Sequence, residues 1–377
     1  MFRRSCTDHR HHDQCRWRLD RAVTRRRASA PKRINLALQG GGAHGAFTWG
    51  ALKRILEDPA LEIAGISGTS AGALNGAAVK AGLSHAAGED GRQTAIDNLD
   101  WLWAQVGAVN DLRLTNWMNT LFPTPSIVTQ AIEYSLPYSL TDMASQFFSP
   151  YAYGPFYKNP LRRIVDRFRF DEVCADDGPA FFVNTTRVRD GKIRVFSQQE
   201  VTTDVILASA CLPTVFQAIE FYDERSGRVE AFWDGGYTGN PALFPLFSRS
   251  LPEDIVIVNI NPMERDEVPC TPNEIQNRVN EISFNSSLLR ELRAINFVQR
   301  LLHNGALNNE SMRDVKIHMI ADDELMRDLS VATKLLPSPF ILGRLKDAGY
   351  AATDNFLRVN RDKIGNESSV DLPSMFS

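Results

Sequence analysis

Apolar positions at the start of the folded region change period from one segment to the next. An apolar run at 34–38 predicts a short buried strand, and from about Ala43 the apolar positions recur at helical spacing. The predicted buried face of this helix carries Phe47, Leu52 and Leu56. A second apolar run, "LEIAGIS" at 61–67, leads into a helix of small residues at 71–82. A strand followed by a helix, twice in succession, predicts a parallel α/β sheet.

The second half of the chain predicts two hairpins and further strands. Residues 180–197 and 216–236 each contain two strand-like runs joined by a turn. The predicted turns are Asp190-Gly191 and Ser226-Gly227. The nearly continuous apolar run "DIVIVNINP" at 254–262 is typical of a buried parallel strand. A long helix over 272–302, a strand over 315–321 and a helical C-terminal segment complete the prediction.

Residues 98–163 differ from the rest because they are rich in aromatic residues, are broken by prolines and show no clear strand pattern. Two compatible interpretations stay open: an ordinary helical insertion with an aromatic core, or a cap over an apolar groove. We therefore divide the chain into a tail at 1–33, a catalytic domain at 34–250 that contains this insertion, and a C-terminal extension at 251–377 that completes the sheet or packs on it.

The composition of the 377 residues, 43% hydrophobic and 23% charged, is that of an ordinary globular protein. No apolar run approaches the ~20 residues of a membrane-spanning helix. The five cysteines show no C-x-x-C spacing, which argues against a disulfide framework or a zinc site and favours a reducing compartment. We expect a cytoplasmic protein that can lie at a membrane surface.

The net charge of −3 conceals an asymmetry. Residues 1–33 carry 11 Lys and Arg against 3 Asp, a net charge of +8, which leaves −11 for the rest. This tail lacks the apolar core of a secretory signal, and its composition predicts disorder. Three interpretations stay open: a solvated leader, a basic arm that contacts anionic lipid or nucleic acid, or an Arg-rich targeting segment.

One serine stands in the pattern of an activated nucleophile. The segment "GTSAG" at 68–72 places Ser70 in a G-x-S-x-G motif between the second predicted strand and a helix. Small neighbours permit the sharp turn that this motif needs, and the helix N-terminus favours a developing negative charge. A serine nucleophile also needs a base.

The glycine-rich segment "GGGAHG" at 40–45 has two interpretations. It fits G-x-G-x-x-G, but a dinucleotide site would need an acidic residue about 20 positions later at a strand end. The acidic residues near that distance precede the next predicted strand rather than ending it: Glu57, Asp58 and Glu62. The other interpretation, an oxyanion hole made by backbone N–H groups, fits a serine elbow one strand later and is favoured.

The base is predicted to be a carboxylate. The histidines outside the tail, His44, His85, His303 and His318, stand in no recognisable catalytic pattern. Asp234 in "FWDGGYTGNP" follows a strand-like run and precedes two glycines. A close, partly desolvated carboxylate can act as a general base, although Asp-Gly-Gly alone is more often a simple tight turn.

Taken in order, "GGGAHG", "GTSAG" and "DGG" resemble the motifs of the patatin-like phospholipases, and "ASACLPTVF" at 208–216 resembles a further segment of that family. The resemblance covers about residues 34–245. It implies an α/β/α sandwich with a mainly parallel sheet, a Ser70–Asp234 dyad without histidine, and hydrolysis of phospholipid or acylglycerol esters with no metal or other cofactor. It also implies an oxyanion hole at Gly40, Gly41, Gly42 and Ala71, with His44, Gly45, Gly68, Gly72, Gly235 and Gly236 as neighbours.

One position departs from the family pattern: many members have Arg or Lys where His44 stands. A histidine titrates around pH 6–7, so we expect its contribution to depend on pH.

The expected partners are a lipid substrate and a membrane surface, with no specific nucleic acid. Two alternatives stay open: the same dyad acting on a thioester or stored polyester, and a catalytically silent lipid-binding protein.

Overall fold

A mixed, mostly parallel sheet organises the chain. The computed structural model describes residues 30–108, 149–151, 157–308, 310–329, 333–334 and 337–377. The strands are β1 (Lys32–Leu38), β2 (Leu61–Thr69), β3 (Ala180–Arg187), β4 (Ile193–Ser197), β5 (Ile219–Asp223), β6 (Arg228–Asp234), β7 (Asp254–Val258) and β8 (Lys316–Ile320). Within the described part, the sheet order is β5-β6-β3-β2-β1-β7-β8, and β4 pairs with β3.

The centre of the sheet is parallel, and one side is antiparallel. β3, β2, β1, β7 and β8 run in the same direction, whereas β4 and β6 pair with β3 in the opposite direction, and β5 with β6 likewise. Every residue of β7 is buried. A strand that is covered by helices on both faces needs apolar side chains at consecutive positions, which explains the unbroken run in the sequence.

Helices cover both faces of the sheet. They are α1 (Gly45–Leu56), α2 (Ala71–His85), α3 (Gly88–Ala108), α4 (Arg162–Val165), α5 (Phe170–Val173), α6 (Thr203–Ser209), α7 (Pro272–His303), α8 (Asp323–Arg327), α9 (Pro339–Asn360) and α10 (Leu372–Met375). Short 3₁₀ turns lie at Gly42–His44, Gln198–Glu200, Gly235–Tyr237 and Phe244–Phe247.

Two apolar clusters separate the layers. Successive side chains of a strand point to opposite faces, so Leu36 and Leu38 join one cluster while Ala37 joins the other. The first cluster contains side chains of α1, α2, α3, α6 and α9. The second contains side chains of α7 and α10. The predicted α/β/α sandwich with a mainly parallel sheet and a helical C-terminal region is therefore confirmed.

Most predicted elements are present. Phe47, Leu52 and Leu56 of α1 are buried, both predicted hairpins form, and the long helix begins at Pro272. Thr271 and Glu274 form a capping box there, which explains the sharp start of α7. Of the predicted insertion at 98–163, residues 109–148 and 152–156 lie outside the described residues, as do residues 1–29 of the tail. The cap interpretation therefore stays a prediction.

Candidate active site

Ser70 occupies a sharp turn between β2 and α2. Its backbone has φ 54° and ψ −122°, a left-handed conformation that costs energy for a residue with a side chain. Gly68 is in β2, α2 begins at Ala71, and Ser70 is only 5% exposed. A Cβ on Gly72 would overlap the carbonyl oxygen of Leu38, so the turn can pass this close to β1 only with glycine there.

Hydroxyl groups hold this turn from behind. The Ser70 N–H donates to Ser209 Oγ at 2.9 Å, and the Ser209 hydroxyl donates in turn to the carbonyl of Asn184 at 2.7 Å. One residue earlier, the Thr69 hydroxyl donates to the carbonyl of Gly239 at 2.6 Å. Ser209 lies in the segment 208–216, whose contact with the turn was not predicted from the sequence.

The sheet register brings Asp234 to the level of Ser70. Thr69 at the end of β2 pairs with Asn184, and the next residue of β3, Thr185, pairs with Asp234 at the end of β6. Because β6 runs against β3, its last residue meets the turn that follows β2. Two residues far apart in the chain thus lie at one point of the sheet edge.

The Asp234 carboxyl is fully buried in a tight turn. Oδ1 accepts the Gly236 N–H at 2.7 Å, which closes the 3₁₀ turn that begins at Gly235. The Asp234 N–H donates to the carbonyl of Cys211 at 2.8 Å, and the Thr186 hydroxyl donates to the Asp234 carbonyl at 2.8 Å. These contacts fix the backbone on both sides of the carboxyl.

The environment of Asp234 suits a base that works near neutral pH. Burial raises the pKa of the carboxyl to about 7, and hydrogen bonds from the Gly236 N–H and from Ser70 lower it only in part. Oδ2 has no partner of ordinary hydrogen-bond geometry among the described residues. Ser70 therefore lies close enough to lower the pKa of this carboxyl without a hydrogen bond of ordinary geometry, and hydrogen bonds of this kind are often long in free enzymes.

The glycine loop lies directly on the serine. A Cβ on Gly40 would come within 2.7 Å of Ser70 Cβ, and a Cβ on Gly45 within 2.5 Å of Ala71 Cβ. Residues with side chains at these two positions would push the loop away from the turn. The approach brings the loop backbone against Ser70, which is where donors to an oxyanion would have to lie if Ser70 is the nucleophile.

The predicted N–H donors are not equivalent. The Gly40 N–H donates to Asn240 Oδ1 at 2.6 Å and is already engaged. Among the described residues, no acceptor is bound to the N–H of Gly41, of Gly42 or of Ala71 at the start of α2. Three of the four predicted donors are therefore available to a ligand.

A buried network of side-chain amides, which the sequence did not predict, holds the backbone of the glycine loop. Gln39 Oε1 accepts the N–H of Ile260 at 2.8 Å and that of Asn261 at 3.1 Å. The carbonyl of Gly40 accepts from Asn261 Nδ2 at 2.9 Å and from Asn240 Nδ2 at 3.3 Å. The only trace of this network in the sequence is the set of asparagines that interrupt apolar or glycine-rich runs.

A partly buried lysine completes the network. Lys334 Nζ donates to Asn261 Oδ1 at 2.8 Å, and burial lowers the pKa of this amine to about 8. A Cβ on Gly42 would overlap the Lys334 carbonyl oxygen, so the same residue also touches the loop backbone. Nothing in the sequence around Lys334 pointed to this position.

The expectation that His44 titrates around pH 6–7 is wrong. His44 is buried, and burial together with the nearby Lys334 charge lowers its pKa well below the ordinary value. Its Nε2 lies 2.7 Å from Thr333 Oγ1. The ring is therefore neutral near physiological pH and does not supply the cation that Arg or Lys would supply at this position.

Other candidate ligands of the sequence analysis have their own partners. His85 pairs with Glu172 at 2.6 Å and His318 with Asp254 at 3.0 Å. The three acidic residues considered for a dinucleotide ribose are also engaged: Glu57 with Tyr350, Asp58 with Arg361 and Glu62 with Arg33.

In the part of the chain that the structure describes, no group of three or more His, Cys, Asp or Glu could hold a metal ion. None of the described helices has both the length and the apolar character needed to span a bilayer.

Comparison with known proteins shows which sequences this chain resembles. The crystal structure of VipD from Legionella pneumophila is similar over 88% of this chain and 67% of that chain, with 15% identity and a TM-score of 0.37. A search of curated proteins gives no match. The sequence model of the patatin-like phospholipases matches residues 36–247, more than half of the chain, and this range includes the glycine loop, Ser70 and Asp234. The chain belongs to the patatin-like phospholipase family.

Proposed function

We propose that this protein is a serine acyl hydrolase that cleaves carboxylic esters of phospholipids or acylglycerols through a Ser70–Asp234 dyad. Family membership supports lipid acyl hydrolase activity in general. The observation that carries the finer proposal is the register, which sets a buried carboxyl with a pKa of about 7 beside a serine in a strained turn. No histidine of the described residues is bonded to either group.

In the first half of the reaction, Asp234 takes the proton of Ser70 as Oγ attacks the ester carbonyl carbon. The carbonyl π electrons move onto its oxygen, which becomes the oxyanion. When the tetrahedral intermediate collapses, the C–O bond to the alcohol breaks, and Asp234 returns the proton to the departing oxygen. An acyl group then remains on Ser70 and the alcohol or lysolipid leaves.

In the second half, Asp234 takes a proton from water as the water oxygen attacks the acyl carbon. Collapse of this second intermediate breaks the bond to Ser70 Oγ, which regains its proton from Asp234. A fatty acid is released and the free enzyme is restored. Because only the ionised carboxylate can accept a proton, activity should rise with pH through about 7.

The oxyanion is assigned to the N–H groups of Gly41, Gly42 and Ala71. The N–H of Gly40 is bound to Asn240 and instead positions the loop. Each donor that points at the developing charge lowers the barrier by ~3 kcal/mol, and the N-terminus of α2 adds partial positive charge at the same place. A cation from residue 44 is not needed in this arrangement.

Labelling with a fluorophosphonate probe tests the dyad. We expect the wild-type chain to label and both Ser70→Ala and Asp234→Asn to fail, because the probe needs an activated serine. Ser250→Ala and Asp347→Asn change exposed residues of the same types and should label normally. Normal labelling of Asp234→Asn would contradict the assigned base, and a folded wild-type chain that does not label would favour a silent lipid-binding protein. Turnover of a phospholipid, an acyl thioester and a polyester would then separate the substrate classes.

A further inference from the structure

The outward side of α7 carries an unusual set of exposed apolar residues. Ile275, Val279 and Ile282 follow the i, i+4, i+7 spacing of one helical face, and Phe297 lies further along it. These four side chains are between 46% and 55% exposed. Together with the arginines described next they define what we call the α7 outer face. A helix of a folded protein normally turns such a stripe inward.

Three arginines share this face. At about 100° per residue, Arg290, Arg293 and Arg300 fall within the same arc of about 80° as the four apolar residues. All three are exposed, and none forms an ion pair with a described residue. Arg293 instead lies over the ring of Phe376, at 5.1 Å, and Arg300 over the ring of Phe297, at 5.8 Å.

The carboxylates of α7 are used elsewhere. Glu274 accepts the N–H groups of Cys270 and Thr271 in the N-terminal cap. Glu281 is buried and pairs with Arg265 and Arg278. Glu291 accepts the N–H groups of Leu243 and Phe244. The charge that α7 presents on its outer face is therefore positive.

The opposite side of the same helix carries part of the candidate active site. Phe284 packs against Tyr237 at 5.5 Å between ring centres, in the turn that follows Asp234. Asn285 Oδ1 accepts from Gln39 at 3.3 Å, and Ser287 Oγ accepts the N–H of Asn240 at 3.0 Å. Because a helix is about 10 Å across, a surface that touched the outer face would lie one helix diameter from the residues that hold the glycine loop.

We propose that the α7 outer face docks on an anionic lipid surface, with its aliphatic residues and Phe297 in the headgroup–acyl boundary and its arginines against lipid phosphates. This inference rests on the proposed function for its choice of a lipid partner. Apolar residues combined with unpaired cations on one face are the pattern of helices that lie in a membrane interface. A second copy of the chain is a poorer occupant, because the seven residues of this face include no carboxylate that could pair with the arginines of the other copy.

Vesicle binding tests the surface without requiring turnover. Co-sedimentation is measured with the full chain in the Ser70→Ala background, on phosphatidylcholine vesicles with and without about one third phosphatidylserine. One variant combines Ile275→Gln, Val279→Gln and Ile282→Gln, and a second combines Arg290→Gln, Arg293→Gln and Arg300→Gln. Matched controls change exposed residues elsewhere: Tyr222→Gln with Val229→Gln, and Arg163→Gln with Arg167→Gln and Arg225→Gln. All are repeated with Arg25, Arg26 and Arg27 changed to Gln, which removes charge from the basic tail.

We expect binding to the anionic vesicles to weaken on the order of tenfold in the apolar variant and roughly a hundredfold in the arginine variant. The effect of the arginines should shrink in high salt, and both controls should bind within about twofold of the parent chain. With Ser70 present, both variants should keep wild-type turnover of a water-soluble butyrate ester. That assay also shows whether a variant is folded.

Three outcomes would overturn the proposal. They are absence of vesicle binding by the parent chain, equal binding by the parent and both α7 variants in each tail background, and a dimer in sedimentation analysis that the apolar variant dissociates. The last would assign the face to a second copy. Failure of the proposed function is distinguishable, because a chain with no esterase activity could still bind vesicles through α7.

Discussion

The Ser70 turn and the glycine loop touch each other, yet they are held in different ways. The turn needs a small residue at one position of its own motif, because Gly72 is the residue that lets the chain pass Leu38. The loop is held by residues from distant parts of the chain, with the Gly40 carbonyl bonded to Asn240 and Asn261. The turn thus depends on small residues within its own motif and on hydroxyl groups, in the bonds of Ser70 N–H to Ser209 and of Thr69 to Gly239, whereas the carbonyl of the loop is held by side-chain amides.

The comparison teaches which parts of the site tolerate change. On the proposed function the turn carries the reacting atoms, and it also stores backbone strain, so substitutions there should change chemistry and stability separately. On the same proposal the loop supplies backbone donors, whose direction depends on the side chains that bond to the loop. Substitutions of the residues that bond to the loop should therefore lower the rate by misdirecting its N–H groups, with little effect on the reactivity of Ser70 itself.

The largest effect is expected at the nucleophile. Ser70→Ala should lower turnover of a phospholipid by roughly 10⁴–10⁶-fold, because it removes the hydroxyl on which the proposed acyl intermediate forms. The substitution is small and keeps the Ser70 N–H that binds Ser209, so the melting temperature should change little. Residual activity within tenfold of wild type would show that the turn is not the catalytic element.

The second-largest effect is a pH-dependent gain in stability on substitution of Asp234. The folded-state pKa of this carboxyl is raised to about 7 from the ordinary 3.8, so folding binds a proton between these values. The penalty for burying the charge is absent below the ordinary pKa, grows as pH rises, and is complete above about 7. Asp234→Asn, which lacks the charge, should therefore gain up to about 4 kcal/mol of unfolding free energy over wild type at pH 8 and nothing near pH 4.

Urea unfolding at the two pH values measures this difference. Asn can still accept the Gly236 N–H, so the turn should persist in the variant. Asp347→Asn on the exposed side of α9 is the control and should show no pH-dependent gain. An Asp234→Asn chain that is less stable than wild type at pH 8 would contradict the raised pKa.

Substitution of Asn261, which bonds to the glycine loop, tests how that loop is held. Asn261→Ala removes the side chain that bonds to the Gly40 carbonyl and to Lys334, and it leaves Ser70 and Asp234 in place. We expect kcat to fall roughly 100-fold, with a much smaller change in KM, because misdirected N–H donors weaken binding of the oxyanion only. Asn355→Ala, at an exposed position of α9, serves as the control. A kcat equal to wild type would show that the loop keeps its geometry without this bond.

Lys334 should give the loop its own pH dependence. Burial lowers the pKa of this amine to about 8, so its charge, and with it the strength of the bond to Asn261, declines above that value. We expect wild-type kcat to rise through about pH 7 with Asp234 and to fall several-fold above about 8. In Lys334→Met the fall should disappear, since no charge remains to be lost, and in Lys334→Arg it should move beyond pH 10. A fall that persists unchanged in both variants would assign it to another group.

The smallest effect concerns strain. Both regions contain a residue with positive φ. In the turn it is Ser70, at φ 54°, which has a side chain, and in the loop it is Gly42, at φ 58°, which has none. Ser70→Gly should therefore raise the unfolding free energy by ~1 kcal/mol, while Ser70→Ala should not. Denaturant midpoints of the two variants measure the difference. Equal midpoints would show that the positive φ of residue 70 does not destabilise the fold.

The same contrast explains what the sequence could predict. Ser70 and the glycines around it stand within five positions, and the strand, turn and helix that surround them have local periodicity. Asp234 is marked by the two glycines that follow it. Pairing Asp234 with Ser70 required the register of β2, β3 and β6, which no local pattern contains, and came from the resemblance to a family.

The residues below the loop left no comparable trace. Asn261 and Lys334 are single polar residues whose role depends on burial, and burial is a property of the assembled fold. His44 shows the same limit, because its ordinary pKa could be assumed from its residue type but its burial could not. Buried polar networks are non-local, so the sequence offered candidates for the reacting groups but none for the groups that would position them.

The position of β7 has a consequence for any attempt to shorten the protein. The family match ends at residue 247, yet β7 pairs with β1 along Asn35–Leu38, and Asn261 and Lys334 come later still. A recombinant fragment that ended near 250 would leave the central strand β1 with an open hydrogen-bonding edge and the Gly40 carbonyl with one amide partner fewer. The smallest unit worth expressing or evolving in the laboratory is therefore larger than the homologous region, and its C-terminal limit must lie beyond Lys334.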